Sequence, residues 1–275
     1  MIPLSFAQRR LWFIDRFEGS SSTYNLPVVL RLCGDVDVVA LRAAIGDVVG
    51  RHESLRTVFV EDVGGVPGQR VIPAAEVVVG LPVVEPVDVG AAVAEAVGYV
   101  FDLSGEVPVR ATLVRVGVRE HVLVLLLHHI AADGESAAPL ARDLSVAYRA
   151  RLAGRVPGWV ELPVQYADYT LWQHELLGDE RLVASQVGYW RRELAGLPQP
   201  VRLPVDRPRP AVAGYRGGTV GFGLGPDLLA RVEGVARGRG ATVPMVLQAA
   251  LAVLLHRLGA GTDVAIGSPI AGRTD

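Results

Sequence analysis

Residues 121–127 read His-Val-Leu-Val-Leu-Leu-Leu, an almost unbroken apolar run. A stretch that short, continuous and rich in Val and Leu predicts a buried strand. Other segments show clear periods. Phe6, Leu11 and Ile14 recur at helical spacing behind Ser5, a natural N-cap, so residues 5–17 are expected to be helical. Residues 27–32 alternate as a strand does. Residues 37–51 form an amphipathic helix, with Leu41, Ala44, Ile45 and Val48 on one face. Residues 55–60 and 69–72 read as strands on either side of a Gly64–Gly65 turn. A helix follows over 89–99. Residues 109–118 and 121–127 make a hairpin about Arg119 and Glu120. Residues 136–152 make a further helix, with Gly154 near its end.

Helices and strands in that order are an α/β pattern. Helices dominate 165–194. The stretch 195–218 carries prolines at 198, 200, 204, 208 and 210, and is expected to cross between two lobes. Beyond it come a strand (219–224), helices over 226–239 and 242–256, and a strand over 263–270. The expected division is 1–175 and 176–275. The second part is on the small side for a domain. The chain ends just after a strand and a Gly272–Arg273 turn, so this lobe is expected to be incomplete.

Composition narrows the function. A chain of 275 residues has room for two lobes. A formal net charge of −2 gives no electrostatic case for nucleic acid or an anionic membrane. All basic residues are arginine, which coding bias explains better than function does. Cys33 is the single cysteine; it forms no internal disulfide, which favours a reducing compartment. It reads as one more core-facing residue of its strand. With no secretory signal and no apolar run long enough to span a bilayer, the expected location is cytoplasmic.

Candidate chemistry sits where the apolar run ends, at His128-His129-Ile130-Ala131-Ala132-Asp133-Gly134. Successive strand side chains point to opposite faces, so the two histidines do not share a target and one of them is structural. Three readings are open on the residues alone. His129 is a general acid or base, since a histidine titrates near neutrality. Alternatively, His129 and Asp133 hold a metal, a reading weakened by Gly134 and by the lack of a further His or Cys cluster. Or the pair is purely structural. Asp133 orients His129 or forms a buried ion pair. Gly134 lets the backbone turn sharply or a substrate approach closely. Ser136 is placed to cap the next helix, whose positive end then lies near the site.

Several motifs together carry a resemblance. Residues 5–13 (Ser-Phe-Ala-Gln-Arg-Arg-Leu-Trp-Phe), 51–59 (Arg-His-Glu-Ser-Leu-Arg-Thr-Val-Phe), 128–136 and 166–172 (Tyr-Ala-Asp-Tyr-Thr-Leu-Trp) resemble, in order, the first four motifs of condensation domains of nonribosomal peptide synthetases. Residues 203–210 and 266–273 look like the same family. The resemblance implies lobes of the chloramphenicol acetyltransferase type, an α+β two-layer architecture, with the active histidine between two of them. It implies peptide-bond formation: the amine of an acceptor aminoacyl-thioester attacks a donor peptidyl-thioester. Both substrates ride on the phosphopantetheine of carrier proteins, and the domain binds no cofactor or metal of its own. The implied partners are donor and acceptor peptidyl carrier proteins and neighbouring synthetase domains.

By motif position His129 is the catalytic residue, either as a general base or as a positioner that hydrogen-bonds the attacking amine, and His128 is its structural neighbour. The second-motif arginine falls on Arg56, implied to pair with Asp133, and such a pair is costly to break from one side. Backbone N–H groups near Gly134 are candidate oxyanion donors. The family often has Trp where Glu135 stands. Glu135, together with residues 19–25 and the Ile130-Ala131-Ala132 spacer, resembles the subclass joining a D-configured donor to an L-configured acceptor. Later motifs are absent, so the chain alone is expected to be inactive. Two alternatives stay open: an epimerisation domain of the same superfamily, and a non-catalytic relative that binds carriers or partner proteins.

Overall fold

The structure, a computed structural model, describes residues 1–197, 203–208, 210–212, 214, 217–218 and 220–268. In chain order the elements are β1 (Ile2–Pro3), α1 (Phe6–Glu18), β2 (Asn25–Cys33), α2 (Val38–Arg51), β3 (Thr57–Glu61), β4 (Pro67–Val71), β5 (Val83–Val84), α3 (Val89–Val97), β6 (Val109–Gly117), β7 (Glu120–His128), α4 (Ala137–Leu152), α5 (Tyr166–Leu176), α6 (Glu180–Glu193), α7 (Pro226–Gly238) and α8 (Val243–Leu255). They fall into two compact units, Met1–Val183 and Ala184–Asp275. The division lies inside α6, somewhat later than the expected boundary at residue 175.

In the first unit, local chemistry starts the helices. Ser5 and Gln8 exchange side-chain and backbone hydrogen bonds in a capping box at α1. Asp37 accepts from the Ala40 N–H at 2.9 Å and caps α2; Asp88 does the same for α3 through Ala91. The main sheet has the order β2-β7-β6-β5, and a smaller one the order β1-β4-β3. β7 is central, antiparallel to both β2 and β6, with His128 opposite Asn25 and Leu127 opposite both Leu26 and Val109.

Both faces of β7 are covered. Leu123, Leu125 and Leu127 enter a core with Leu41, Ala44, Ile45 and Val48 of α2 and Leu140, Leu144 and Ala147 of α4. Leu126 points the other way, into a second cluster with Leu4, Phe59, Phe101, Leu103 and Ile130. Each buried leucine contributes about 1.5–3 kcal/mol relative to exposure. The strand that delivers the histidines is therefore clamped between two cores.

A buried polar network fastens α1 to β4 and α5. Gln8 Nε2 donates to Gln69 Oε1 at 3.1 Å, and Gln69 Nε2 donates to Pro3 O and Thr170 Oγ1. The Ser5 hydroxyl pairs with the Tyr166 hydroxyl at 2.9 Å. These interactions hold the chain beside Leu4, which shares its cluster with Ile130.

Several expectations need correction. Cys33 is exposed: it lies opposite Glu120 on the outward face it shares with Arg31, whose guanidinium pairs with Glu120. Period-2 alternation sends it away from the core that Leu32 touches. The strand expected over 55–60 starts only at Thr57, because Glu53–Arg56 form a 3₁₀ turn. Ser136 does not cap α4 with its side chain.

In the second unit α7 and α8 form where expected, but residues 220–224 and 263–268 are irregular. A strand needs a hydrogen-bonded neighbour, and no described segment pairs with either. Residues 219 and 269–270 of those two strands, the turn at 272–273, Arg209, Pro198 and Pro200 lie outside the described residues. Among this unit's described residues the buried apolar side chains are Ala236 and Ala260, while Leu228, Leu247, Leu251 and Leu254 are exposed. Contrary to the expectation of no run long enough, the helical stretch Val243–Ala260 reaches bilayer-spanning length, with 18 residues and mean hydropathy 1.5. Gln248, His256 and Arg257 interrupt its apolar sequence. Its last turn is π-helical and breaks at Gly259, where φ is +93°.

Candidate active site

His128 ends β7 with its ring buried, 3% exposed. Phe101 meets it edge-on at 6.1 Å and Tyr24 tilts against it at 6.5 Å. Its Nδ1 accepts from the Ile130 N–H at 3.1 Å, so the neutral ring carries its proton on Nε2. Burial, followed by the neighbouring His129, lowers the His128 pKa from 6.5 to about 4. This imidazole stays neutral at physiological pH.

His129 stands just past the strand. Its backbone N–H donates to Tyr24 O at 2.8 Å, continuing the pairing with β2. Its ring is exposed, and Nδ1 lies 2.9 Å from the carbonyl oxygen of Ala132. A carbonyl only accepts, so Nδ1 carries a proton, and in the neutral ring the lone pair is on Nε2. The loop thus presents an imidazole in one tautomer, its basic nitrogen away from the backbone. Such an arrangement is suited to taking up a proton.

The same loop holds Asp133, Gly134 and Ser136. Asp133 Oδ1 accepts from the Ser136 N–H and hydroxyl, and the Asp133 N–H donates to Ser136 Oγ at 3.0 Å. This reciprocal box caps the 3₁₀ turn Gly134–Ser136 that leads into α4. Gly134 does not adopt positive φ, so the turn itself does not require glycine. A Cβ there would enter open space. Glu135 is exposed.

Arg56 is not where the motif comparison put it. Its guanidinium donates to Gly50 O at 3.2 Å and Ile72 O at 2.7 Å, and pairs with Glu53 at 3.4 Å; it makes no ion pair with Asp133. The 3₁₀ turn seats it at the C-terminal end of α2, where a cation satisfies unpaired carbonyls. The second motif contributes a different buried junction. Asp143 of α4 pairs with Arg51 at 3.0 Å, His52 at 2.9 Å and Arg142 at 3.1 Å. Burial pushes the Asp143 carboxyl up, but hydrogen bonds from His52, Arg142 and Arg51 hold it below the usual range.

Two participants escaped the sequence reading. Tyr24 supports both histidines, and its only signal was its place in the segment 19–25. Asn25 donates through Nδ2 to Val97 O and Tyr99 O, each at 2.7 Å, and so ties the end of α3 to the strand beside His128. Among the described residues no three His, Cys, Asp or Glu side chains gather as a metal-binding set.

The family model described as "Condensation domain" matches residues 1–275. The chain is 56% identical to CymA of Salinispora arenicola, described as a probable non-canonical nonribosomal peptide synthetase, and 50% identical to a dimodular nonribosomal peptide synthase of Bacillus subtilis. Each alignment covers 100% of the chain but only 4% and 12% of those proteins, respectively. Among solved structures it is similar to the X-domain from teicoplanin biosynthesis, with 42% identity and TM-score 0.84 over 94% of this chain and 58% of that one. That X-domain has also been solved in complex with OxyB. The first condensation domain of the CDA synthetase shares the fold, with TM-score 0.73 over 94% of this chain and 62% of that one at 22% identity.

Proposed function

Because the chain belongs to the condensation-domain family, we propose that it forms a peptide bond between two carrier-bound thioesters, with His129 as the proton acceptor. The acceptor's amine attacks the donor's thioester carbonyl. A C–N bond forms, the amine proton passes to Nε2 of His129, and the C–S bond breaks. The proton then leaves with the phosphopantetheine thiolate. The exposed ring with its proton fixed on Nδ1 carries this reading, since an imidazole held in that tautomer offers Nε2 as a base.

His128 and the Asp133–Ser136 box are support rather than chemistry in this scheme. The partners are donor and acceptor peptidyl carrier proteins and the neighbouring domains of a cytoplasmic synthetase, and no cofactor belongs to the domain itself. Glu135, the Ile130-Ala131-Ala132 spacer and residues 19–25 favour a D-configured donor and an L-configured acceptor. An intact synthetase offered matched donors ending in D- or L-residues should release product from the D form; preferential use of the L form would reverse that assignment.

A second reading has one observation behind it. Similarity to an X-domain that binds OxyB favours a recruiting role. Loading donor and acceptor carriers and following amide release separates the two, because a recruiter binds without turnover. Exchange of the donor's α-proton without amide formation would instead indicate epimerisation.

A further inference from the structure

The amide joining Ala132 to Asp133 is held from both sides. Its carbonyl oxygen faces His129 Nδ1 at 2.9 Å, and its N–H donates to Ser136 Oγ at 3.0 Å. A trans peptide is planar, with C=O and N–H pointing in opposite directions, so whatever fixes one end fixes the other. The Ser136 hydroxyl is itself oriented, because it donates to Asp133 Oδ1 at 2.8 Å and so turns a lone pair toward the Asp133 N–H. Ser136 makes no side-chain capping bond to α4, so the hydroxyl is not committed there.

From this relay we propose that Ser136 is a positioning residue: through the Ala132–Asp133 peptide plane it sets the tautomer and aim of His129. This rests on the reading of His129 as the base and adds the residue that controls it. Without the hydroxyl the plane loses the bond at its N–H end, the Ala132 carbonyl tilts from Nδ1, and the ring is less firmly confined to the form that leaves Nε2 basic. A small misalignment of a reacting group costs on the order of a hundredfold in rate. The expected loss therefore falls on kcat, with KM for both carriers unchanged.

The direct test is ¹⁵N imidazole spectroscopy on the resting 275-residue chain labelled at histidine, above the pH at which its histidines titrate. Wild-type His129 should show a protonated Nδ1 and an unprotonated Nε2. Ser136→Ala should shift His129 toward the opposite tautomer while His128 keeps its own signature, and Ser136→Thr should restore the wild-type spectrum. A folded Ser136→Ala variant with unchanged His129 signals overturns the proposal, as does a wild-type ring protonated on Nε2. If the alanine variant does not fold, Ser136→Cys, with its weaker donor and acceptor, should give an intermediate shift; no shift rejects the relay. The spectra need no substrate. Active His129→Ala would sink the catalytic reading and leave the tautomer result standing, so the two failures are distinguishable.

Discussion

His128 and His129 are adjacent in sequence and opposite in surroundings: the first ring is buried against Phe101 and Tyr24, the second lies open to solvent. The difference follows from the end of β7. His128 still obeys the strand's alternation and shares the face of Leu126, whereas His129 begins the loop. One backbone N–H, from Ile130, fixes the inner ring, and one carbonyl, of Ala132, fixes the outer one.

The buried ring predicts a pH dependence of stability. An unfolded histidine gains its proton near pH 6.5, while folded His128 resists protonation until about 4. Between these values the unfolded state binds more protons, so stability declines as pH falls from about 7 toward 4 and levels off below. The change from this group is at most on the order of 3 kcal/mol. Denaturant melts across that range should show the slope, and His128→Asn should flatten it. Equal slopes in both proteins would contradict the assignment.

Arg56→Ala should lower stability by about 2 kcal/mol, because it leaves carbonyls of Gly50 and Ile72 without their donor. Combined with Asp133→Ala the losses should add, since the two side chains are not partners. Coupling beyond about 1 kcal/mol in the double-mutant cycle would restore the ion pair that the motif comparison implied.

Asp143→Asn should cost more, about 3–5 kcal/mol, by stranding the Arg51 guanidinium in a largely buried site. Thermal melts check this, and a loss below 1 kcal/mol would show that the junction joining α2 to α4 is dispensable.

Breaking the glutamine network tests how the first and fourth motifs cooperate. Gln69→Leu removes partners from Gln8 and Thr170 and should destabilise by about 1–3 kcal/mol. Faster hydrogen exchange should then appear in both α1 and α5. If exchange rises in one helix alone, the network does not link them.

Much of this was legible in the sequence because it is local. Ser5 followed by Gln8 specifies a cap, the apolar face of α2 specifies its packing, and β7 is continuous enough to declare itself buried. Strand alternation was enough to expect the two histidines to part, although His129 does so as the first residue of the loop. What was not legible depends on partners distant in the chain. Cys33 looks apolar among apolar neighbours, and only register against Glu120 turns it outward. Arg56 has several carbonyls within reach, and nothing near it in sequence says which it takes. Asn25 finds its acceptors 72 and 74 residues away. The strands expected over 219–224 and 263–270 had suitable residues but no pairing neighbour among the described ones.

The most direct test removes the outer imidazole. In the intact synthetase, with donor and acceptor carriers loaded, His129→Ala should cut amide formation by about 100-fold or more while melting temperature and carrier binding stay at wild-type values. Wild-type amide release from that variant would contradict the account.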